Sequence, residues 1–243
     1  MLKLFPSEHR AFFILWPACA LSILAVIPYS LAAFHFPQTP PTAKIVSKAL
    51  LNGLLIFPLM IYLGFLLKRR AQVAGLPILE GREKPTAGFW RFSVLSGLLA
   101  FALIAAPGIL LSKTPHATHE NGLFIFYGFL ASFYGGITEE LMMRFFVMSL
   151  LALLLRKLAA PGMWASIVLS AILFGVGHVP AATNAMGVSS WSQIPLPILA
   201  QIIAFNSIVG LITGWLYWKK GLEAAVVSHF TTDLGLHVIA PLF

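Results

Sequence analysis

The sequence is short of charge, and shortest of acids. Of its 243 residues only 10% are charged, and Asp and Glu together number eight. A soluble domain carries about 25% charged residues. Apolar residues make up 59% of the chain. With so little charge, a protein of this size cannot screen that much apolar area from water, so the bilayer is its solvent. Cysteine occurs once, at Cys19. A lone thiol excludes an intrachain disulfide and any cysteine-based zinc site. Cys19 also lies in the first apolar run, away from the other reactive groups, and is not a candidate nucleophile. No polar or Pro/Gly-rich stretch is long enough to act as a linker, and there is no internal repeat or low-complexity tract. The chain therefore reads as one membrane domain over residues 1–243. The H-E-x-x-H, phosphate-loop, dinucleotide and G-x-S-x-G patterns are missing too.

What is present is a series of apolar runs at 11–34, 48–67, 92–112, 123–155, 163–180, 196–218 and 222–242. A crossing needs about 20 such residues. The expected fold is all-α, a polytopic transmembrane bundle of about seven spans (six to eight). The first run is too long for an ordinary signal core and is read as a span. With the N-terminus cytoplasmic, 12 Lys and Arg fall inside and three, Lys44, Lys48 and Lys113, fall outside. That asymmetry is the positive-inside pattern. The net charge of +8 flanks apolar runs, which fits an anionic leaflet and not nucleic acid. The polar segment 69–91 is expected to be a cytoplasmic loop, with room for an interfacial helix. Segment 181–195 is expected to be an outer loop. Run 123–155 would reach about 50 Å as a straight helix against a core of about 30 Å. A kink at Gly135-Gly136, with Thr138 capping a restarted helix, would relieve the excess.

Against this background a few polar residues stand out. Glu139, Glu140 and Arg144 lie in the fourth run, His178 in the fifth, His229 and Asp233 in the seventh. A charge at mid-bilayer costs about 2.5–3.5 kcal/mol even on lenient scales. Such groups survive by facing the interior and pairing. Glu140 and Arg144 are four apart and can form an ion pair. Glu139 is rotated by about 100°, which leaves it as the carboxylate able to take a proton from water. Phe174 and His178 share a face, and so do His229 and Asp233. Each set alone also fits a structural role, in which the residues merely pin neighbouring helices. Other polar residues have plainer readings. Glu223 suits a helix N-terminus, His237 ends its span, and Asn206 either lines the same cavity or bonds a neighbouring helix. The cluster His116, His119 and Glu120 resembles half a metal site without further ligands. By helical rise Glu139 is about 25 Å from Arg156, His178 about 24 Å from Gly162 and His229 about 12 Å from Gly221. The groups are thus expected to meet in the cytoplasmic half or near the midplane; a lateral or cytoplasmic opening would suit such a site, but no residue in the sequence marks one.

At these residues the chain resembles the CAAX prenyl endopeptidase and bacteriocin-processing (CPBP, Abi) family of intramembrane proteases. The resemblance rests on Glu139-Glu140 with Arg144, on Phe174 with His178, and on His229 with Asp233, in that order. The approach G-W-L-Y-W-K-K-G-L-E-A-A-V-V-S-H to the last motif is also similar. It covers about 110 residues, 134–243. The resemblance implies an integral membrane endopeptidase that cuts a membrane-associated or prenylated (CAAX-type) substrate. Its membrane would be the plasma membrane in a bacterium and the endoplasmic reticulum in a eukaryote. It further implies that Glu139 is the general base, aided by His178. His229 and Asp233 would stabilise the oxyanion, and Glu140, Arg144 and Phe174 would support the site. The family's Asn/Asp position holds Asp233 here. An ionised Asp233 donates no proton, so it is protonated, orients His229, or binds a metal. Zinc would find acceptable ligands in Glu139, His178, His229 and Asp233. Two other readings of the polar cluster are a proton-coupled transporter and a non-catalytic immunity or regulatory protein.

Overall fold

The computed structural model describes residues 4–33, 42–71, 73–111 and 122–242. Among them there is no strand; the fold is an all-α membrane bundle. The first crossing is α1 (Pro6–Ala25) followed by α2 (Ile27–Ala33). The break at Val26 precedes Pro28, which has no N–H to continue the ladder. The second crossing is α3 (Thr42–Leu51), a π-turn and α4 (Phe57–Ala71), and the third is α5 (Ala87–Leu111). The fourth runs unbroken from α6 (Gly122–Phe133) through two π-helical stretches to α7 (Ser149–Leu154). Then come α8 (Ala159–Gly177), the short α9 (Val179–Ala185), α10 (Leu196–Lys220) and α11 (Leu222–Leu234) with its short continuation. Five of these crossings are long and apolar enough to span a bilayer on composition alone. The remaining two, 122–154 and 222–242, carry two of the three polar motifs, and it is those residues that dilute their apolarity.

Two expectations are corrected. Thr138 does not cap a restarted helix. The fourth crossing instead absorbs its glycine pair in π-turns, and the Thr138 hydroxyl bonds Ser22 and Cys19 of α1. Segment 73–86 forms turns and no interfacial helix. Glu223 turns its carboxylate toward that segment, accepting the Ile78 and Leu79 N–H groups at 3.0 and 2.9 Å. The outer segment is in part helical, as α9, before a turn capped by Ser190.

The bundle has two unlike ends. One holds Lys68, Arg69, Arg82, Arg156, Lys157, Lys219 and Lys220. There Glu8 of α1 pairs with Arg69 and Lys68, and Glu80 pairs with Lys68 and Arg82. Beside this basic end the core is closely filled by Ile61, Phe65, Leu141, Phe145, Met148, Leu216 and Tyr217, all fully buried. Toward the far end the packing opens into a cavity.

Helices approach closely where side chains are smallest, as membrane packing favours. A Cβ on Gly97 of α5 would meet the Ser228 carbonyl of α11, and one on Gly210 of α10 would come within 2.8 Å of the Ala171 backbone of α8. Gly97→Ala is therefore expected to push α5 off α11 and lower the thermal unfolding midpoint in detergent, at a cost of about 1–3 kcal/mol. Gly88→Ala, whose Cβ would touch only Thr86 at 3.9 Å, should leave the midpoint unchanged.

Candidate active site

The π-helical stretches Tyr134–Glu139 and Leu141–Met148 bring the fourth crossing against α11. Such i→i+5 turns commonly occur at functional sites. Gly135 and Gly136 remove the side chains that would hold the helices apart. A Cβ on Gly135 would collide with the Asp233 carboxylate and stand 3.3 Å from His229 Nε2, and one on Gly136 would lie 3.0 Å from Phe230 Cβ. The polar face of α11 therefore lies directly on bare backbone.

Glu140 and Arg144 form the ion pair, with Arg144 Nε 3.2 Å from Glu140 Oε2, and both side chains are wholly buried. Arg144 also donates to Thr213 Oγ1 of α10 at 3.0 Å and to Ser170 Oγ of α8 at 3.3 Å. Its guanidinium stands 5.3 Å from the Phe174 ring centre. Phe174 in turn meets His178 and His229 edge-on, at centroid distances of 4.6 and 5.4 Å. The other Glu140 oxygen lies 2.8 Å from His229 Nδ1.

These contacts settle both imidazoles. A carboxylate and a carbonyl can only accept, so a nitrogen facing either carries the proton. His229 gives its Nδ1–H to Glu140, and His178 gives its Nδ1–H to the Phe174 carbonyl at 2.8 Å. Both rings then turn Nε2 to the same place. Glu139 Oε2 lies 3.9 Å from His178 Nε2 and 3.9 Å from His229 Nε2. Asp233 Oδ1 is 3.6 Å from His229 Nε2. Glu139 and His178 are the accessible members, with 17% and 29% of their side chains exposed, whereas Glu140 and Arg144 are sealed. Gaps of this size between polar groups leave room for a bridging water.

All four groups border one cavity of about 1110 Å³. Its exposed lining residues, among them Leu31, Lys44, Lys48 and Ala185, belong to the far ends of their helices. The cavity opens away from the basic end, whereas the sequence had left a lateral or a cytoplasmic opening unmarked. The reason is that α10, α11 and the fourth crossing are packed shut on the basic side by the core around Tyr217 and Leu216.

The structure also sorts the secondary candidates. Asn206 lines the cavity while donating to Ile202 of its own helix. His237 lines it too, with Nδ1 3.2 Å from the Tyr29 hydroxyl. Tyr134 completes the wall beside Glu139; a tyrosine within an apolar run gives no signal in sequence. His116, His119 and Glu120 lie outside the described residues. The orienting partner of His229 is Glu140 and not Asp233, a role the i,i+4 spacing of His229 and Asp233 had concealed.

The donor set does not suit zinc as it stands. Zinc bonds of about 2.0 Å at tetrahedral angles set donors roughly 3.3 Å apart, closer than the 3.6–3.9 Å found between these atoms. Among the described residues no group of three His, Cys, Asp or Glu is arranged to hold a metal ion.

Residues 121–235 match the family model described as Type II CAAX prenyl endopeptidase Rce1-like, a stretch just short of half the chain. It contains all three motifs, from Glu139 to Asp233, and is the family that those motifs resemble. Residues 121–235 are thus similar to a CAAX-type prenyl endopeptidase, and the apolar helices are those of an integral membrane protein. Neither a curated protein nor a solved structure gives a match.

Arg144→Ala would strand the Glu140 charge in the bundle. A loss of about 3–5 kcal/mol is expected, read as a lowered unfolding midpoint in detergent. Gly135→Ala should displace Asp233 and reduce peptide cleavage with a smaller change in that midpoint.

Proposed function

We propose that this chain is an intramembrane endopeptidase that hydrolyses a peptide bond of a membrane-associated substrate, prenylated CAAX-type proteins being one class of candidate. The observation that carries the reading is the position of the Glu139 carboxylate, equidistant from two imidazole Nε2 atoms at the wall of a large cavity. Water bound between Glu139 and His178 gives a proton to Glu139, and its oxygen adds to the substrate carbonyl carbon. Negative charge collects on the former carbonyl oxygen. His229, as the imidazolium with its second proton on Nε2, and Asp233, as the carboxylic acid, donate to that oxygen. Glu139 then passes its proton to the amide nitrogen, the C–N bond breaks, and the amine departs. General base action and stabilisation of the oxyanion in a sheltered cavity are the two contributions peptide hydrolysis needs.

Glu140 and Arg144 act as positioning residues. The Arg144 charge keeps Glu140 an acceptor, and Glu140 holds the Nδ1–H of His229 so that Nε2 faces the cavity. This leaves Asp233 without an orienting task, which is why it is assigned as a donor. The reaction is assigned no metal step because the donors stand too far apart as arranged.

Incubating the purified protein with prenylated CAAX peptides and a membrane-peptide library, read by mass spectrometry, tests the proposal. Glu139→Ala, His178→Ala and His229→Ala are each expected to abolish cleavage while remaining folded in detergent; normal turnover by Glu139→Ala would remove the proposed base. Asp233→Asn should retain activity because an amide also donates, whereas Asp233→Ala should lose it. Full activity is expected after exhaustive chelation, and inhibition reversed by zinc would refute metal-free water activation. If the wild type cleaves nothing, the non-catalytic regulatory reading is favoured.

A further inference from the structure

The direction in which the cavity opens bears on which substrates can reach it. Helix α8 leaves the basic end at Arg156–Lys157 and brings His178 to its other end. Helix α10 begins at the far end and finishes at Lys219–Lys220. From Glu139 outward, the cavity is bordered by the last turns of the first crossing, the first turns of α3 and α10, and α9. All of these are far-end segments. On the basic side the described residues leave no path: Tyr217, Leu216, Leu141 and Met148 are fully buried beneath the site.

The positive-inside asymmetry of 12 against three assigns the basic end to the cytoplasm. Two of the three outer cations, Lys44 and Lys48, stand at the cavity mouth, exposed and without an ion pair among the described residues. Together these observations set the mouth on the opposite side of the membrane from the cytoplasm.

We propose that the substrate reaches Glu139 from the non-cytoplasmic half of the bilayer, and that it is a membrane-anchored polypeptide whose scissile segment lies on that side. The nature of the substrate rests on the peptidase reading; the direction of approach does not. A lipidated tail held at the cytoplasmic face would be separated from Glu139 by the packed half of the bundle. The inference thus narrows the candidate substrates to chains that have been translocated or that insert from outside.

Cysteine accessibility in intact cells tests the direction without any need for activity. Native Cys19 is fully buried and gives a silent background. Lys44→Cys and Ala185→Cys at the mouth should react with a membrane-impermeant maleimide in intact cells. Lys84→Cys, exposed at the basic end, should react only after the cells are broken. Denatured samples serve as the control for reactivity. The reverse pattern would overturn the proposal. In proteoliposomes sorted by orientation, peptide added outside should be cut by the population whose Lys84→Cys is shielded, and Glu139→Gln should stop this. Cleavage only by the opposite population would also overturn it. If labelling follows the expected pattern but neither population cuts, the direction stands and the peptidase reading fails.

Discussion

The bundle depends on one buried charge. Arg144 has no access to water, and it is tolerable inside the membrane because Glu140 neutralises it one turn away on the same helix. Removing two charges from water is costly, and the attraction between them offsets that cost only when the remaining protons find acceptors. Here Thr213 and Ser170 supply oxygens and Phe174 supplies a ring face, while Nη2 is left without a hydrogen-bond partner among the described residues. Those partners come from α10 and α8, and the second Glu140 oxygen reaches His229 of α11. A single ion pair therefore ties four crossings together. It also sets the chemistry of the site, because the proton on His229 Nδ1 is there to satisfy Glu140.

Around that pair the protein divides its interior between packing and space. The half near the basic end is filled by large apolar side chains, and the far half holds the cavity. The π-helical stretches lie at the boundary. A regular helix with a Cβ at position 135 would force Asp233 and His229 away. Bare backbone at that height lets two helices approach closely while their polar side chains still project into the cavity. Strong packing below and polar convergence above depend on the same short segment.

Much of this was legible in the residues. Apolar run length located every crossing to within a few positions, since the bilayer imposes one length on them all. The i,i+4 spacing of Glu140 and Arg144 announced their pair, because a helix leaves no other neighbour at that distance. Other features were hidden. Thr138 read as a helix cap because π-turns leave no mark on composition. The role of Asp233 stayed open among donor, orienter of His229 and metal ligand, because the acceptor nearest His229, Glu140, comes from 89 positions away. The contribution of Tyr134 and His237 to the cavity wall was likewise out of reach, since either residue is ordinary at its place in the chain.

By itself the order of residues determined the solvent, the helical class, the number of crossings and the short list of reactive groups. These follow from composition and from periodicity along one helix, which are local properties. Only the tertiary structure decided which imidazole nitrogen faces the cavity, which carboxylate is sealed and which is accessible, and toward which end the cavity opens. Those are relations between helices. They are set by where the smallest residues let backbones meet and where the largest ones fill the gap, and neither can be read along a single strand of sequence.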